Sequence, residues 1–323
     1  MPMAVRVHVL GGPDVLRWEN VDVAPPAAGE VQIRHTAIGL NYSDIYYRIG
    51  FYTAPLPMII GAEGAGVVEA VGPDVQGLQK GDRVAYAPVH GAYAQFRNLP
   101  ARSAVPIPDW ITDEQAAAVM LKGLMARILV RDVHAVGPGD TVLVHAAAGG
   151  VGVIVCQWAK HLGATVIGTV GSAEKAAFVA AHGCDHAIVY REQDFVAAAR
   201  DLTGGKGVDV VYDMVGKDVF MQSLDCIRRR GLIVSIGQAS GPVAPVDVIA
   251  LSRKGSLYLT RPGLPDFVLT REALLEVATD LFSVIKTGAV KVEVRQRYAL
   301  RDAAAAHRDL ESRRTTGSSV LIP

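Results

Sequence analysis

The chain is poor in cysteine. Cys156, Cys184 and Cys226 are the only three among 323 residues. They are odd in number, far apart, and form no C-x-x-C pair. That argues against a disulfide framework and a structural zinc knuckle, and each thiol reads as small core filler. Net charge is missing too: 32 Lys+Arg against 32 Asp+Glu gives a formal charge of zero. Without a basic excess or an acidic tail, nucleic acid is not an expected partner. No apolar run approaches the roughly 18 residues of a membrane span. The start, Met1 to Leu10, alternates like a strand and lacks a signal-peptide core. These absences set the expectation of a soluble cytoplasmic protein. Aromatics make up only 6% while half the chain is hydrophobic, so its cores are expected to be Val, Ala, Leu and Ile. The length suits two domains of about 100–200 residues each.

What is present centres on Ala-Ala-Ala-Gly-Gly-Val-Gly, Ala146–Gly152. An apolar run, Thr141–Val144, precedes it, and a helical run from Val153 follows. Strand, glycine turn and helix start is the order that a dinucleotide pyrophosphate needs. Gly149 and Gly150 allow the backbone to approach a ligand, and the helix N-terminus with Val151 offers free N–H groups. Gly152 is expected to let the helix pack closely on the sheet. The first position of the usual G-x-G-x-x-G pattern is Ala147, so context must carry the reading. The second strand, Ala164–Val170, ends in Thr169 and Val170, where NAD-specific sites carry an acid about 20 residues on. Gly171-Ser172-Ala173-Glu174-Lys175 follows. Ser172 can donate to a 2′-phosphate and Lys175 can supply its countercharge, which favours NADPH. Glu174 either serves NAD or occupies a helix first turn, which favours acids.

The middle third repeats a βα rhythm. Strands are expected at Thr141–Ala146, Thr165–Val170, Ala187–Tyr190, Val208–Asp213, Leu232–Ile236 and Ser256–Thr260. Helices are expected at Val151–Leu162, Glu174–His182, Asp194–Leu202 and Val219–Ile227. That argues for a doubly wound parallel sheet of Rossmann type, an α/β fold. The first ~120 residues read instead as short strands with turn signals, followed by a helix at about Thr112–Val130. The tail reads helix Arg271–Lys286, strand Val290–Val294, helix Leu300–Ser312 and strand Val320–Ile322. A nucleotide domain, 124–261, is therefore expected within a substrate domain formed by 1–123 and 262–323.

Several motifs in this order and spacing resemble the zinc-free quinone oxidoreductase branch of the medium-chain dehydrogenase/reductase superfamily, the zeta-crystallin-like family. They are Gly39–Asp44, Gly61-Ala62-Glu63-Gly64-Ala65-Gly66, Lys80–Val84, the Ala146–Gly152 loop, Val189–Glu192 and Gly317–Leu321. The likeness covers essentially the whole chain. It implies a GroES-like, mainly-β substrate domain beside the Rossmann domain, NADPH in the cleft between them, and a homodimer paired through the Rossmann sheet. Zinc-dependent relatives place a ligand His in a G-H-E motif. Here the motif is Gly61-Ala62-Glu63, and no cysteine precedes residue 156, so no metal site is expected. His35, His90, His134, His145 and His161 pair with no cysteine and read as ordinary histidines.

Without metal, the chain must hold an acceptor against the nicotinamide. The resemblance puts Asn41 near the nicotinamide and Tyr46 and Tyr52 along the acceptor. A tyrosine ring stacks on a flat quinone and its hydroxyl bonds a carbonyl oxygen. With a solution phenol pKa near 10, Tyr52 is an orienting group first and an acid second. Tyr42, Tyr47 and Phe51 read as aromatic core, and Asp44 and Arg48 as a helical i,i+4 pair. The resemblance also puts Tyr190 near the adenine, Gln238 near the nicotinamide side, and Arg261 just after the last strand. Met125 stands where relatives often carry Thr against the nicotinamide, which removes a hydroxyl contact. The expected activity is NADPH-dependent quinone reduction. The alternatives are an enone or alkenal reductase, or a non-catalytic NADPH-binding structural or RNA-binding protein.

Overall fold

The structure, a computed structural model, describes residues 1–323. Two compact units emerge. The first comprises Met1–Leu124, Val268–Thr279 and Val292–Pro323, and the second Met125–Phe267 and Asp280–Lys291. The expected division differs chiefly in the tail. The second half of the helix Arg271–Lys286 goes with the nucleotide unit, where Arg127 Nε donates to Asp280 at 3.1 Å.

In the first unit the chain runs β1 (Met3–Val7), β2 (Leu16–Asn20), β3 (Glu30–Leu40), α1 (Tyr42–Arg48), β4 (Met58–Ile59), β5 (Gly64–Val71), β6 (Arg83–Tyr86), β7 (Phe96–Pro100), β8 (Val105–Pro106) and α2 (Asp113–Ile128). In β3, Val31, Ile33 and His35 point inward while Gln32 and Arg34 face outward, the alternation of a half-exposed strand. Its last four residues are all buried and deliver Asn41 to the start of α1. Val31, Ile33, Val68, Val84, Leu99 and Leu321 form the heart of this core.

The second unit holds β9 (Thr141–Val144), α3 (Gly150–His161), β10 (Thr165–Val170), α4 (Ala173–Ala180), β11 (His186–Val189), α5 (Phe195–Leu202), β12 (Val208–Asp213), α6 (Phe220–Ser223), β13 (Ile227–Ser235), α7 (Val248–Arg253) and β14 (Tyr258–Thr260). The six strands are all parallel, in the order β11-β10-β9-β12-β13-β14. The winding direction reverses between β9 and β12, and the carboxyl ends of strands at such a reversal are where α/β sheets take ligands. After α8 (Leu264–Phe267) and α9 (Arg271–Lys286), the chain forms β15 (Val294–Ala299), α10 (Ala303–Glu311) and β16 (Ser318–Ile322). The last two strands complete the order β15-β16-β3-β5-β6-β8, with β7 also on β3.

Two expected elements change. The helix Val219–Ile227 shrinks to the four residues of α6, because the next strand starts early, at Ile227. The register of β13 on β12 shifts between Val208 and Val210, and Arg230 takes a positive φ of 58°. That irregularity hid the strand's polar first half. The strand expected at Val290–Val294 lies at Val294–Ala299 instead. Val290 is buried and closes α9 by donating its N–H to Val284 O, so its apolar side chain serves a helix end.

Candidate active site

The Ala146–Gly152 turn follows β9 and opens α3. Gly149 is the helix N-cap, in extended conformation, and no side chain caps it. The first N–H groups of α3 therefore remain as donors at the positive end of its dipole. A Cβ at Gly152 would lie 2.4 Å from Ala146 O and 2.9 Å from Ala147 Cα. Gly152 thus lets the helix start close on the turn itself, rather than on the sheet as expected. Ala147, in the motif's usual first glycine place, is fully buried, and its methyl would lie 2.8 Å from a Cβ on Gly168 of β10. Gly168, lacking a Cβ, leaves room for that methyl.

Beyond β10, Ser172 caps α4 and its Oγ accepts the Lys175 N–H at 3.3 Å. The hydroxyl proton remains for an anion. A Cβ on Gly171 would sit 3.5 Å from the Tyr190 hydroxyl and 3.9 Å from Arg191 Nε. Gly171 thus meets Tyr190 and Arg191 at the carboxyl end of β10, and Ser172, Glu174 and Lys175 follow in the cap and first turn of α4. Cations and a hydroxyl donor stand where an NAD site keeps an acid, so these residues fit a 2′-phosphate. Arg191 is the member that sequence reasoning passed over.

At the ends of β12 and β13, Asp213 Oδ1 accepts the N–H groups of Val215 and Gly216 at 2.8 and 3.0 Å, while Oδ2 is buried without a partner. Burial pushes the Asp213 carboxyl up to about 6, against those hydrogen bonds and the nearby Arg261. Arg261 Nη1 donates to Ser235 Oγ at 3.0 Å. The Gln238 backbone packs beside Gly216, whose Cβ would lie 3.0 Å from Gln238 Cα. Arg261 and Gln238 thus border the same strand ends.

In the first unit, Asn41 is the N-cap of α1, and its backbone N–H donates to Asp44 Oδ2 at 2.9 Å. The Tyr46 ring packs edge-on to Tyr52, with centroids 5.3 Å apart, and Tyr42 and Phe51 lie at 5.5 and 5.3 Å. Tyr46 and Tyr52 are thus brought together by α1 and the turn after it, and Asn41 stands at the start of the same helix. Phe51 is exposed, so it is not the core aromatic expected.

Beneath this cluster lies a buried polar web that the sequence did not disclose. Asp44 and Arg48 do not pair. Asp44 Oδ2 also accepts the Tyr93 hydroxyl at 3.0 Å, while Arg48 donates to Gly11 O, His307 Nδ1 and Glu311 Oε1 at 3.0, 2.9 and 2.5 Å. Because arginine only donates, His307 accepts through Nδ1 and donates through Nε2 to the Tyr93 oxygen, 3.0 Å away. Burial pushes Asp44 up to about 7 and His307 down to about 3. Glu63 accepts the Asn41 amide Nδ2–H at 2.9 Å and the Lys122 ammonium on one oxygen, and the Leu121 N–H at 2.6 Å on the other. A Cβ at Gly39 would lie 2.2 Å from that carboxylate, so this glycine opens the space it fills.

His35 and His145 are held in the two cores, while His90 packs against the Tyr47 ring at 4.2 Å and His134 meets Asp140 at 3.3 Å. His35 donates to Ala94 O and takes the Tyr86 hydroxyl, and His145 bridges Thr169 and Ser223. Burial pushes both down to about 3. No group of three His, Cys, Asp or Glu side chains is placed to hold a metal ion.

Known proteins resemble the chain along its whole length. The family described as alcohol dehydrogenase GroES-like domain matches residues 27–109, and that described as zinc-binding dehydrogenase matches 150–261. A quinone oxidoreductase of Salmonella typhimurium is 52% identical over 99% of this chain and 100% of its own. A 2-haloacrylate reductase of Burkholderia is 46% identical over 100% and 99%. The crystal structure of Escherichia coli quinone oxidoreductase complexed with NADPH superposes with a TM-score of 0.97 at 49% identity, covering 99% of this chain and 100% of that one.

Proposed function

The chain belongs to the quinone oxidoreductase family and reduces quinones with NADPH, and we propose that Asn41, Tyr46 and Tyr52 are the residues that hold the acceptor. When bound, NADPH supplies the hydride. Gly149, Gly150 and Val151 give their backbone to its pyrophosphate. Gly171, Ser172, Lys175 and Arg191 take the 2′-phosphate, Tyr190 lies along the adenine, and Gln238 and Arg261 serve the nicotinamide half. The observation that carries this reading is the uncapped start of α3 beside a β10 whose last residues, Thr169 and Val170, carry no acid, with Arg191 brought to Gly171 and Glu174 placed in the first turn of α4.

On the acceptor side, the Tyr46 and Tyr52 rings stack on a flat conjugated molecule. The Tyr52 hydroxyl donates to a carbonyl oxygen as negative charge grows there, which lowers the barrier. Metal polarisation is not part of this scheme, since Ala62 stands where zinc-dependent relatives carry a histidine. Two copies pair through the edge strand β14, where Tyr258 and Leu259 are 55% and 40% exposed. No helix is long and apolar enough to cross a membrane, and the cytoplasm is the proposed site of action.

A second reading, reduction of a polarised C=C bond, is favoured by the relative called a 2-haloacrylate reductase. Steady-state rates with a quinone panel and an enone panel separate the two. Higher kcat/KM for quinones is expected, and faster enone turnover would overturn the quinone reading.

A further inference from the structure

Glu63 and Lys122 are charged side chains in the deep interior, with relative exposures of 0% and 5%. Burying two ions costs several kcal/mol each, and such a pair is weak as a stabilising device. Its geometry has another consequence. A carboxylate only accepts hydrogen bonds. The Lys122 ammonium donates to Glu63 Oε1, and the Leu121 N–H fixes the second oxygen. The neighbouring Asn41 amide must therefore offer its NH2 edge to Glu63, as the 2.9 Å contact shows. A primary amide carries its oxygen and nitrogen on opposite edges, so Oδ1 is turned away from the ion pair and toward the start of α1, where the side chain completes a capping box with Asp44, while Nδ2 also reaches Gly39 O at 3.5 Å. Asp44 fixes the other end of the same residue by taking its backbone N–H at 2.9 Å.

We propose that Glu63 and Lys122 are positioning residues that set the amide polarity of Asn41, so that it meets the reactants with its carbonyl oxygen. This rests on the reading of Asn41 as a reactant-facing residue. A neutral glutamine at 63 could present either edge of its own amide, leaving only the long contact to Gly39 O and the capping box to resist a flip of Asn41. A mere plug between β5 and α2 would work equally well with glutamine.

The test is the double variant Glu63→Gln/Lys122→Met, which removes both charges together and strands neither. Three quantities are read: kcat, the NADPH dissociation constant by fluorescence, and the Asn41 side-chain NH2 resonances of the cofactor-free protein. The expected result is a fall in kcat of roughly tenfold or more, an NADPH dissociation constant within about twofold, and broadened or shifted amide resonances. In an Asn41→Ala background the same double substitution should cost less than about twofold more, because residues acting as a unit are not additive. Unchanged resonances and kcat, or losses that multiply in that background, would overturn the proposal. If Asn41→Ala alone leaves kcat intact, the reactant-facing reading fails, and the resonances still decide the polarity. If the double variant does not fold, Asn41→Asp exchanges the donor edge for a second acceptor oxygen facing Glu63. It should lose as much kcat as Asn41→Ala, and near-normal turnover would refute the orientation role.

Discussion

The dinucleotide cradle and the polar web under α1 are built from opposite materials. The cradle is backbone: glycines, a helix start without a cap, and strand ends. The turn itself occupies seven consecutive residues, Ala146–Gly152, from just after β9 into the first turn of α3. The web is side chains joined across the chain, as when Tyr93 meets His307, 214 positions away. Backbone sites tolerate almost any side chain except where a Cβ would intrude. Side-chain sites tolerate little change in charge, because each member satisfies another's buried polar group. The sharpest way to break the comparison is Gly152→Val. Its Cβ would lie 2.4 Å from Ala146 O, a clash with backbone that no rotamer relieves. Loss of NADPH affinity of roughly a hundredfold, or about 3 kcal/mol of stability, is expected. Titration calorimetry and thermal melts check it, and near-normal affinity with a normal melt would mean that the turn yields.

The web predicts a dependence on pH. The Asp44 carboxyl is raised from 3.8 to about 7, mainly by burial. Between those values the folded state holds a proton that the unfolded state has lost, so its contribution to stability falls as pH rises from about 4 to 7. His35 and His307, pushed from 6.5 down to about 3, act in the opposite sense. They stay neutral in the fold, and their contribution is lost as pH falls below 6.5. Asp44→Asn should therefore gain on the wild type as pH rises from 5 to 7, by about 1–3 kcal/mol. Denaturation curves at both pH values check this, and parallel behaviour would show that Asp44 is charged throughout. In the second unit, Asp213→Asn should show the same trend but level off near pH 6.

How much of each region could be read from the chain follows from the same contrast. The βα rhythm and the Ala146–Gly152 turn were legible because their logic is local. The irregular Ala147 is answered by Gly168 on the adjoining strand, a relation that strand pairing makes and the motif alone does not show. Arg191 was overlooked because it is brought to Gly171 by pairing of β10 with β11, not by sequence distance. The web stayed hidden for a stronger form of that reason. Asp44 and Arg48 look like a surface pair at i,i+4, yet both are buried and find partners elsewhere. The available signal was a lone charge in an apolar run: Glu63 among Gly and Ala, and Lys122 between Leu121 and Gly123. Such charges, if buried, require each other, but only the approach of the residue before β5 to α2 says which pair forms.

A smaller effect sharpens the cradle's specificity. Lys175→Ala should raise KM for NADPH by about tenfold while leaving that for NADH within about twofold, since only the phosphate loses a charge-assisted partner. Ser172 and Arg191 remain, which is why the loss is not larger. Equal effects on both cofactors would remove Lys175 from the 2′-phosphate site.

The smallest effect expected is at the acceptor. Tyr52→Phe keeps the ring that packs on Tyr46 at 5.3 Å and on Tyr47 at 5.4 Å, so the aromatic cluster and the fold should persist. Only the hydroxyl goes. One neutral hydrogen bond to a carbonyl oxygen contributes about 1 kcal/mol, which converts to roughly a fivefold fall in kcat with quinone. Tyr46→Phe tests the alternative that the inner hydroxyl is the donor, since Tyr46 is buried while Tyr52 is only half-buried. If Tyr46→Phe costs more than Tyr52→Phe, the donor is the inner tyrosine. If neither changes kcat, the rings serve by stacking alone and the charge on the reduced oxygen is met elsewhere. A loss confined to Tyr52→Phe, with an unchanged NADPH dissociation constant, would separate acceptor contact in the first unit from cofactor binding in the second.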